Sequence, residues 1–220
     1  MVLENHIIFR KDRVNQKGGG VLIAVKNDFK CNQKHINSEF EDIFVEILIK
    51  DVKLLFISLY RPPNLLIDFK TYLKNIFNEI DLQRYHFICF LGDLNLNYSN
   101  NLDSNVIQMK ENFLYYGLNQ IITSPTYPSK NPKSILDLVF TNRTEIVTKV
   151  DISENISQLC DHLSIDFKLD INYEKKNDKT VEYFDYNSEN LKKLNEGLQS
   201  IDWFLLTQNA DNIDSNFDIM

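Results

Sequence analysis

Three acidic segments stand where apolar runs end or are interrupted. Gly92-Asp93-Leu94-Asn95 follows the apolar run 87–91, Asp137 sits inside Ile135-Leu136-Asp137-Leu138-Val139-Phe140, and Cys160-Asp161-His162 precedes the alternating run 163–169. An ionised carboxylate is costly to bury alone, so such groups are found paired or holding a metal. Oxygen donors suit a hard divalent cation such as Mg²⁺. An imidazole beside them adds a group that carries or moves a proton near neutral pH. Any one of these Asp residues reads equally well as a structural carboxylate or a loop cap, and His162 alone as a structural histidine. Three such places, one of them an Asp-His pair, favour a chemical site.

The surrounding pattern predicts what positions them. An unbroken apolar run such as 87–91 suits a strand buried on both faces. Residues 21–25, 43–49, 54–60, 136–140, 146–152 and 163–169 read as further strands, with hairpin signals at Gly18-Gly19-Gly20 and Asp51-Val52-Lys53. The glycines read as a turn more readily than as a phosphate cradle. Arg61-Pro62-Pro63-Asn64 stops a strand, because proline cannot donate to a ladder. Residues 68–80, with Asp68 as N-cap, and 106–116, ended by Gly117, carry helical spacing. Strands joined by hairpins and interleaved with helices predict a mixed α/β (α+β) domain.

The chain has 220 residues and a formal net charge of −7. From Asp170 onward acidic residues outnumber basic ones by 11 to 5, so the body before it is near neutral. Residues 10–34 are locally basic, a pattern compatible with weak contact to a phosphate backbone and equally with a solvated surface. Cys31, Cys89 and Cys160 have no metal-ligand spacing. Their odd number, with no signal-peptide pattern, predicts free thiols in an intracellular protein of nucleus or cytoplasm rather than a secreted one. No run approaches the roughly 20 apolar residues that span a bilayer. The composition turns polar near 170. This predicts a domain over 1–170 and, over 171–220, a polar linker with an amphipathic helix at 188–206 that includes Trp203.

Taken in order, Tyr60-Arg61-Pro62-Pro63, Gly92-Asp93-Leu94-Asn95, Leu136-Asp137 and Asp161-His162 resemble the exonuclease–endonuclease–phosphatase superfamily. FRKDR…GGGVLIAVK, SLYRPPN, GLNQIITSPTYPS and SILDLVFTN resemble the endonuclease domain of non-LTR (LINE-type) retrotransposons. The resemblance spans residues 6–169. It implies a four-layer sandwich, two mixed sheets face to face and flanked by helices, that hydrolyses DNA phosphodiester bonds with Mg²⁺ or Mn²⁺. It implies that Asp93 and Asn95 align the attacking water or steady the leaving oxygen. His162 would contact the scissile phosphate, Asp137 would orient His162, Tyr60 would hydrogen-bond the phosphate, and Asp161 would lie on the metal side. DNA is the implied partner, and 171–220 resembles the connector to a downstream reverse transcriptase.

Two departures from the family pattern qualify this. Cys160 stands where the family usually has Ser. In the family an Asn on the first strand and a metal-binding Glu precede the FRKDR-like segment, whereas here eight residues precede Phe9, and neither Glu4 nor Asn5 takes those places. The resemblance therefore implies a chain without the first β-α-β portion, with weak metal binding and DNA nicking at background. Two other readings stand beside it: a non-catalytic scaffold used for binding, and a lipid or sugar phosphatase of the same superfamily.

Overall fold

The computed structural model describes residues 3–13, 19–38, 40–63, 65–128, 133–153, 161–171 and 188–202. In chain order these hold β1 (His6–Lys11), β2 (Val21–Lys26), β3 (Lys30–Lys34), β4 (Glu41–Ile49), β5 (Val52–Tyr60), α1 (Phe69–Glu79), β6 (Phe87–Asp93), α2 (Ser104–Tyr115), β7 (Asn119–Gln120), β8 (Asp137–Thr141), β9 (Val147–Ser153), β10 (Ser164–Leu169) and α3 (Ser188–Ser200). Gly18 and Cys160 lie outside the described residues, as do 172–187 and everything from Trp203 onward.

Six strands form one mixed sheet in the order β3-β4-β5-β6-β8-β7. β4 and β5 are antiparallel across a tight turn at Lys50-Asp51, where both residues take positive φ, as a two-residue hairpin of this hand requires. β5 and β6 are parallel, so the chain must cross over between them, and α1 makes that crossing. Asp68 caps α1 by accepting the amides of Lys70 and Thr71, which satisfies two of the four orphan donors at a helix start. Gly117, at φ 69°, follows α2 in the left-handed conformation that ends a helix cheaply.

Strand alternation sorts the side chains onto two buried faces. Phe44, Leu55, Ile57, Ile88, Phe90 and Phe140 share the face covered by α1 and α2. There Phe113 of α2 stacks on Phe140 at 3.9 Å and meets Phe90 edge-on at 4.8 Å. The opposite face carries two antiparallel hairpins. The β1–β2 hairpin packs Phe9, Val21, Ile23 and Val25 against Ile43, Val45 and Ile47. The β9–β10 hairpin brings Ile165 and Phe167 over Leu91 and Val139, around a cavity of about 210 Å³. The mixed α/β class and face-to-face β layers are as expected. The second layer consists of these two separate hairpins, and α1 and α2 lie outside the six-stranded sheet.

The chain divides into two compact units, Met1–Tyr173 and Glu174–Met220. The second contains α3, on which Leu194 and Leu198 are exposed. No helix among the described residues is long and apolar enough to cross a membrane.

Gly92 is required by local geometry. Its φ is +148°, and a Cβ there would run into the carbonyl of Leu59 on β5. A strand that ends in a functional loop can approach its neighbour this closely only through a residue without a side chain.

Candidate active site

Sheet register alone brings several of the candidate residues together. Asp93, the last residue of β6, pairs directly with Asp137, the first of β8. Residues directly opposite on antiparallel strands point to the same face, so the two carboxylates stand side by side. The parallel register of β5 on β6, ending at Ser58 opposite Leu91, continues to put Tyr60 level with Asp93. This end of the sheet, on the face away from the helices, forms a rim.

His162 arrives from a different layer, just before β10. Its Nδ1 lies 2.8 Å from Oδ2 of Asp137, and its Nε2 lies 4.0 Å from Oδ2 of Asp93. The imidazole thus spans the two carboxylates. A carboxylate on Nδ1 fixes that nitrogen as the N–H donor and leaves Nε2 directed toward the Asp93 side. Asn95 holds Asp93 from below. Its backbone N–H donates to Oδ1 of Asp93 at 2.9 Å, and its Nδ2 donates to Oδ2 at 3.1 Å. Asn95 sits at φ 47°, a left-handed conformation that asparagine tolerates better than most residues.

The electrostatics follow from this packing. Asp93 has its pKa raised, first by burial and then by the charge of Asp137, against the opposing hydrogen bonds of Asn95 and the charge of His162. A carboxylate with a raised pKa opposes folding at neutral pH, a cost that belongs to holding the site together. For His162, burial alone lowers the pKa. The hydrogen bond and charge of Asp137, with the charges of Asp93 and Asp161, outweigh it and leave the pKa raised. A raised histidine pKa means the stabilisation is fully present below the ordinary value near 6.5 and is lost as pH climbs through the folded-state value. Accordingly, the His162 ring followed by NMR is expected to titrate above the ordinary histidine range. Asp137→Asn is expected to bring its midpoint down, and an unmoved midpoint would show that the pair is not coupled.

Three residues not assigned a role from sequence help to build the site. Thr126 is fully buried; its hydroxyl accepts the amides of Leu136 and Asp137, and its carbonyl accepts the amide of Leu163. It therefore ties the strand carrying Asp137 to the segment carrying His162. The Tyr127 ring lies 4.8 Å from the His162 ring, and its hydroxyl bonds Asp161. Arg61 is buried beneath the loop 93–95, with Nη1 3.1 Å from the carbonyl of Leu94. The motif text around Thr126, Tyr127 and Arg61 was legible in the sequence, but polar contacts to backbone leave no periodic signal. Part of the basic segment is paired with acidic residues. Arg10 bonds Asp12, Lys11 bonds Asp42, and Arg13 bonds Glu41 while lying over the Tyr60 ring at 5.5 Å.

Among the described residues, Asp93, Asp137 and His162 offer ligand atoms all within 4.8 Å of one another. Asp161, the residue expected on the metal side, lies outside this trio. The two carboxylates are oxygen donors of the kind a hard divalent cation prefers, although Asp137 already bonds His162.

A family model described as endonuclease-reverse transcriptase matches residues 54–166, just over half of the chain and the stretch that carries Tyr60, Asp93, Asn95, Asp137 and Asp161-His162. The chain belongs to this endonuclease-reverse transcriptase family. Solved structures agree with an endonuclease/exonuclease/phosphatase fold. The endonuclease domain of TRAS1, a telomere-specific non-LTR retrotransposon, superposes with a TM-score of 0.62 at 20% identity over 76% of this chain and 79% of that one. An endonuclease/exonuclease/phosphatase family protein from Leptotrichia buccalis gives 0.57 at 16% identity, over 76% and 72%. A mannosyl-6-phosphatase from Bacteroides thetaiotaomicron gives 0.53 at 12%, over 76% and 78%. No curated protein matches the chain. The endonuclease-reverse transcriptase family thus accounts for the fold, and its matched region covers β6, β8 and all but the first two residues of β5, the three sheet strands that end at the rim.

Proposed function

We propose that residues 1–170 are a Mg²⁺-dependent DNA endonuclease domain of retrotransposon origin that nicks target DNA, and that its turnover is impaired in the chain as it stands. The observation that carries this reading is His162 held between Asp137 and Asp93 at the strand ends, in a member of the endonuclease-reverse transcriptase family. Residues 171–220 would be the connector toward a reverse transcriptase.

Each group has a role that its surroundings support. Asp93, fixed by Asn95, accepts a hydrogen bond from the attacking water or steadies the leaving oxygen. The imidazole of His162 faces the scissile phosphate through Nε2, either donating to it or moving a proton, while Asp137 holds Nδ1. Tyr60, at the same rim, donates to a phosphate oxygen. Asp93 and Asp161 would hold a Mg²⁺ or Mn²⁺ ion, which when bound would supply Lewis-acid polarisation of the phosphoryl oxygens. The impairment follows from ligand count. Asp137 is committed to His162, and Asp161 accepts from Tyr127. Among the described residues few fixed oxygens then remain, so an octahedral Mg²⁺ would lean on water and substrate phosphate for most of its ligands and bind weakly.

The test is nicking of supercoiled plasmid across a divalent-ion titration. Turnover is expected to stay close to background and to rise with Mg²⁺ or Mn²⁺ through the millimolar range without saturating. Fast nicking that saturates at low metal would overturn the impairment. No response to any divalent ion, with DNA still bound, would favour a binding scaffold. Release of phosphate from a sugar or lipid monoester would favour the phosphatase reading, whose fold the Bacteroides enzyme shares.

A further inference from the structure

We propose that Arg61 is a positioning residue for the loop that carries Asp93 and Asn95. This rests on the endonuclease reading for its effect on rate, but not for its geometry. Arg61 follows β5 and is 4% exposed. It grips three consecutive residues of the neighbouring loop. Its backbone N–H donates to the carbonyl of Asp93 at 2.9 Å. Its guanidinium Nη1 donates to the carbonyls of Leu94 at 3.1 Å and Asn95 at 3.4 Å. Its own carbonyl accepts Nδ2 of Asn95 at 2.9 Å.

The direction of these bonds carries the inference. The loop turns sharply after Asp93, with Asn95 at φ 47°. That turn aims two successive carbonyls, Leu94 and Asn95, inward. Inward carbonyls in a buried setting need donors. Arg61 supplies them with a cation, and such charge-assisted bonds are stronger than neutral ones. A buried guanidinium is itself costly without compensation. Here the carbonyls provide it, and the carboxylates of Asp93 and Asp103 face its charge. The amide of Asn95 is then held at both ends, by the Arg61 carbonyl and by the Asp93 carboxylate. Arg61 thereby sets where Asn95 points and how Asp93 is presented at the rim.

Two variants test this. Arg61→Met keeps comparable bulk and removes charge and donors; Arg61→Lys keeps a charge and one reach to the carbonyls. Amide hydrogen exchange at Leu94 and Asn95 is compared with exchange in β4 and β5. Alongside, the single-turnover rate at saturating oligonucleotide in Mn²⁺ is compared with the half-saturating concentration. In Arg61→Met, protection is expected to fall at least about tenfold at Asn95 while β4 and β5 stay protected. Whatever Mn²⁺-dependent cleavage the parent shows above background is expected to be lost, since misplacing a reacting group by about 1 Å costs about a hundredfold, with DNA binding unchanged. Arg61→Lys is expected to recover part of both, and it carries the test alone if Arg61→Met does not fold. Unchanged exchange at Asn95 in the folded variant overturns the proposal. So does a loss of protection spread evenly over the sheet with the rate per folded molecule intact. If the parent chain cleaves no DNA under any condition, the endonuclease reading fails, while the exchange measurement still decides whether Arg61 holds the loop.

Discussion

His162→Ala is expected to bring metal-stimulated DNA nicking down by about 10²- to 10⁴-fold, the range a positioned acid–base group supplies. Because the parent is itself expected to be slow, the variant should be indistinguishable from protein-free plasmid. The measurement is first-order loss of supercoiled DNA at the highest Mn²⁺ tested. The reasoning is geometric. Nδ1 of His162 is taken by Asp137 at 2.8 Å, so Nε2 is the nitrogen free of that bond and turned toward Asp93. No other imidazole shares this cluster among the described residues. Asp137→Asn should cost less than His162→Ala, because an amide can still occupy the position while favouring the wrong tautomer. Nicking by His162→Ala at the parental rate would remove His162 from the chemistry and leave the Asp-His pair as a structural contact.

Phe113→Ala is expected to destabilise the domain by about 3–5 kcal/mol, the range for emptying a large aromatic site in a core. Phe113 is fully buried and touches Phe140, Phe90 and Phe69, at ring separations of 3.9, 4.8 and 6.0 Å. Through it α2 packs on β6 and β8, the strands that carry Asp93 and Asp137. Truncation removes apolar burial and three aromatic contacts at once, and a rigid sheet cannot collapse into the void. Chemical denaturation should show the midpoint falling with little change in slope. A loss under about 1 kcal/mol would mean that α2 is loosely seated and that the stacking contributes little.

Much of this architecture is written in local patterns. The run 43–49 alternates, 54–60 is rich in β-formers, and Asp68 and Gly117 punctuate their helices as capping chemistry demands. The strand 163–169 shows its buried face in Ile165 and Phe167. What was not legible has a common cause. β3, Lys30-Cys31-Asn32-Gln33-Lys34, has almost no apolar content; it is a strand because the edge of β4 offers it backbone partners, a tertiary effect that overrides propensity. β1 is short and ends in Arg10-Lys11, so its pairing with β2 outweighs a weak signal. At the site, side chains with an unusual setting stood out: acids in apolar strands and an Asp-His pair. Thr126, Tyr127 and Arg61 act through backbone carbonyls, amides and ring contacts. No spacing rule encodes such contacts, and they became visible only when three distant segments met. The same holds for Lys11 and Arg13, whose charges looked available until Asp42 and Glu41 were placed beside them.

The separation of the second β layer into hairpins has a kinetic consequence. Asp93 and Asp137 belong to one hydrogen-bonded ladder, whereas His162 lies at the connecting end of β9–β10, two strands that among the described residues form a sheet of their own. The Leu163 amide on the Thr126 carbonyl is a backbone tether between them. Segments that share few ladder bonds with their surroundings open more often than the sheet beneath. Each excursion of that hairpin would carry the imidazole away while both carboxylates kept their register. The centre would then run on a duty cycle, its observed rate the product of the chemical step and the fraction of time the hairpin is seated. Anything that clamps β9–β10 down would raise turnover without altering a single reacting group.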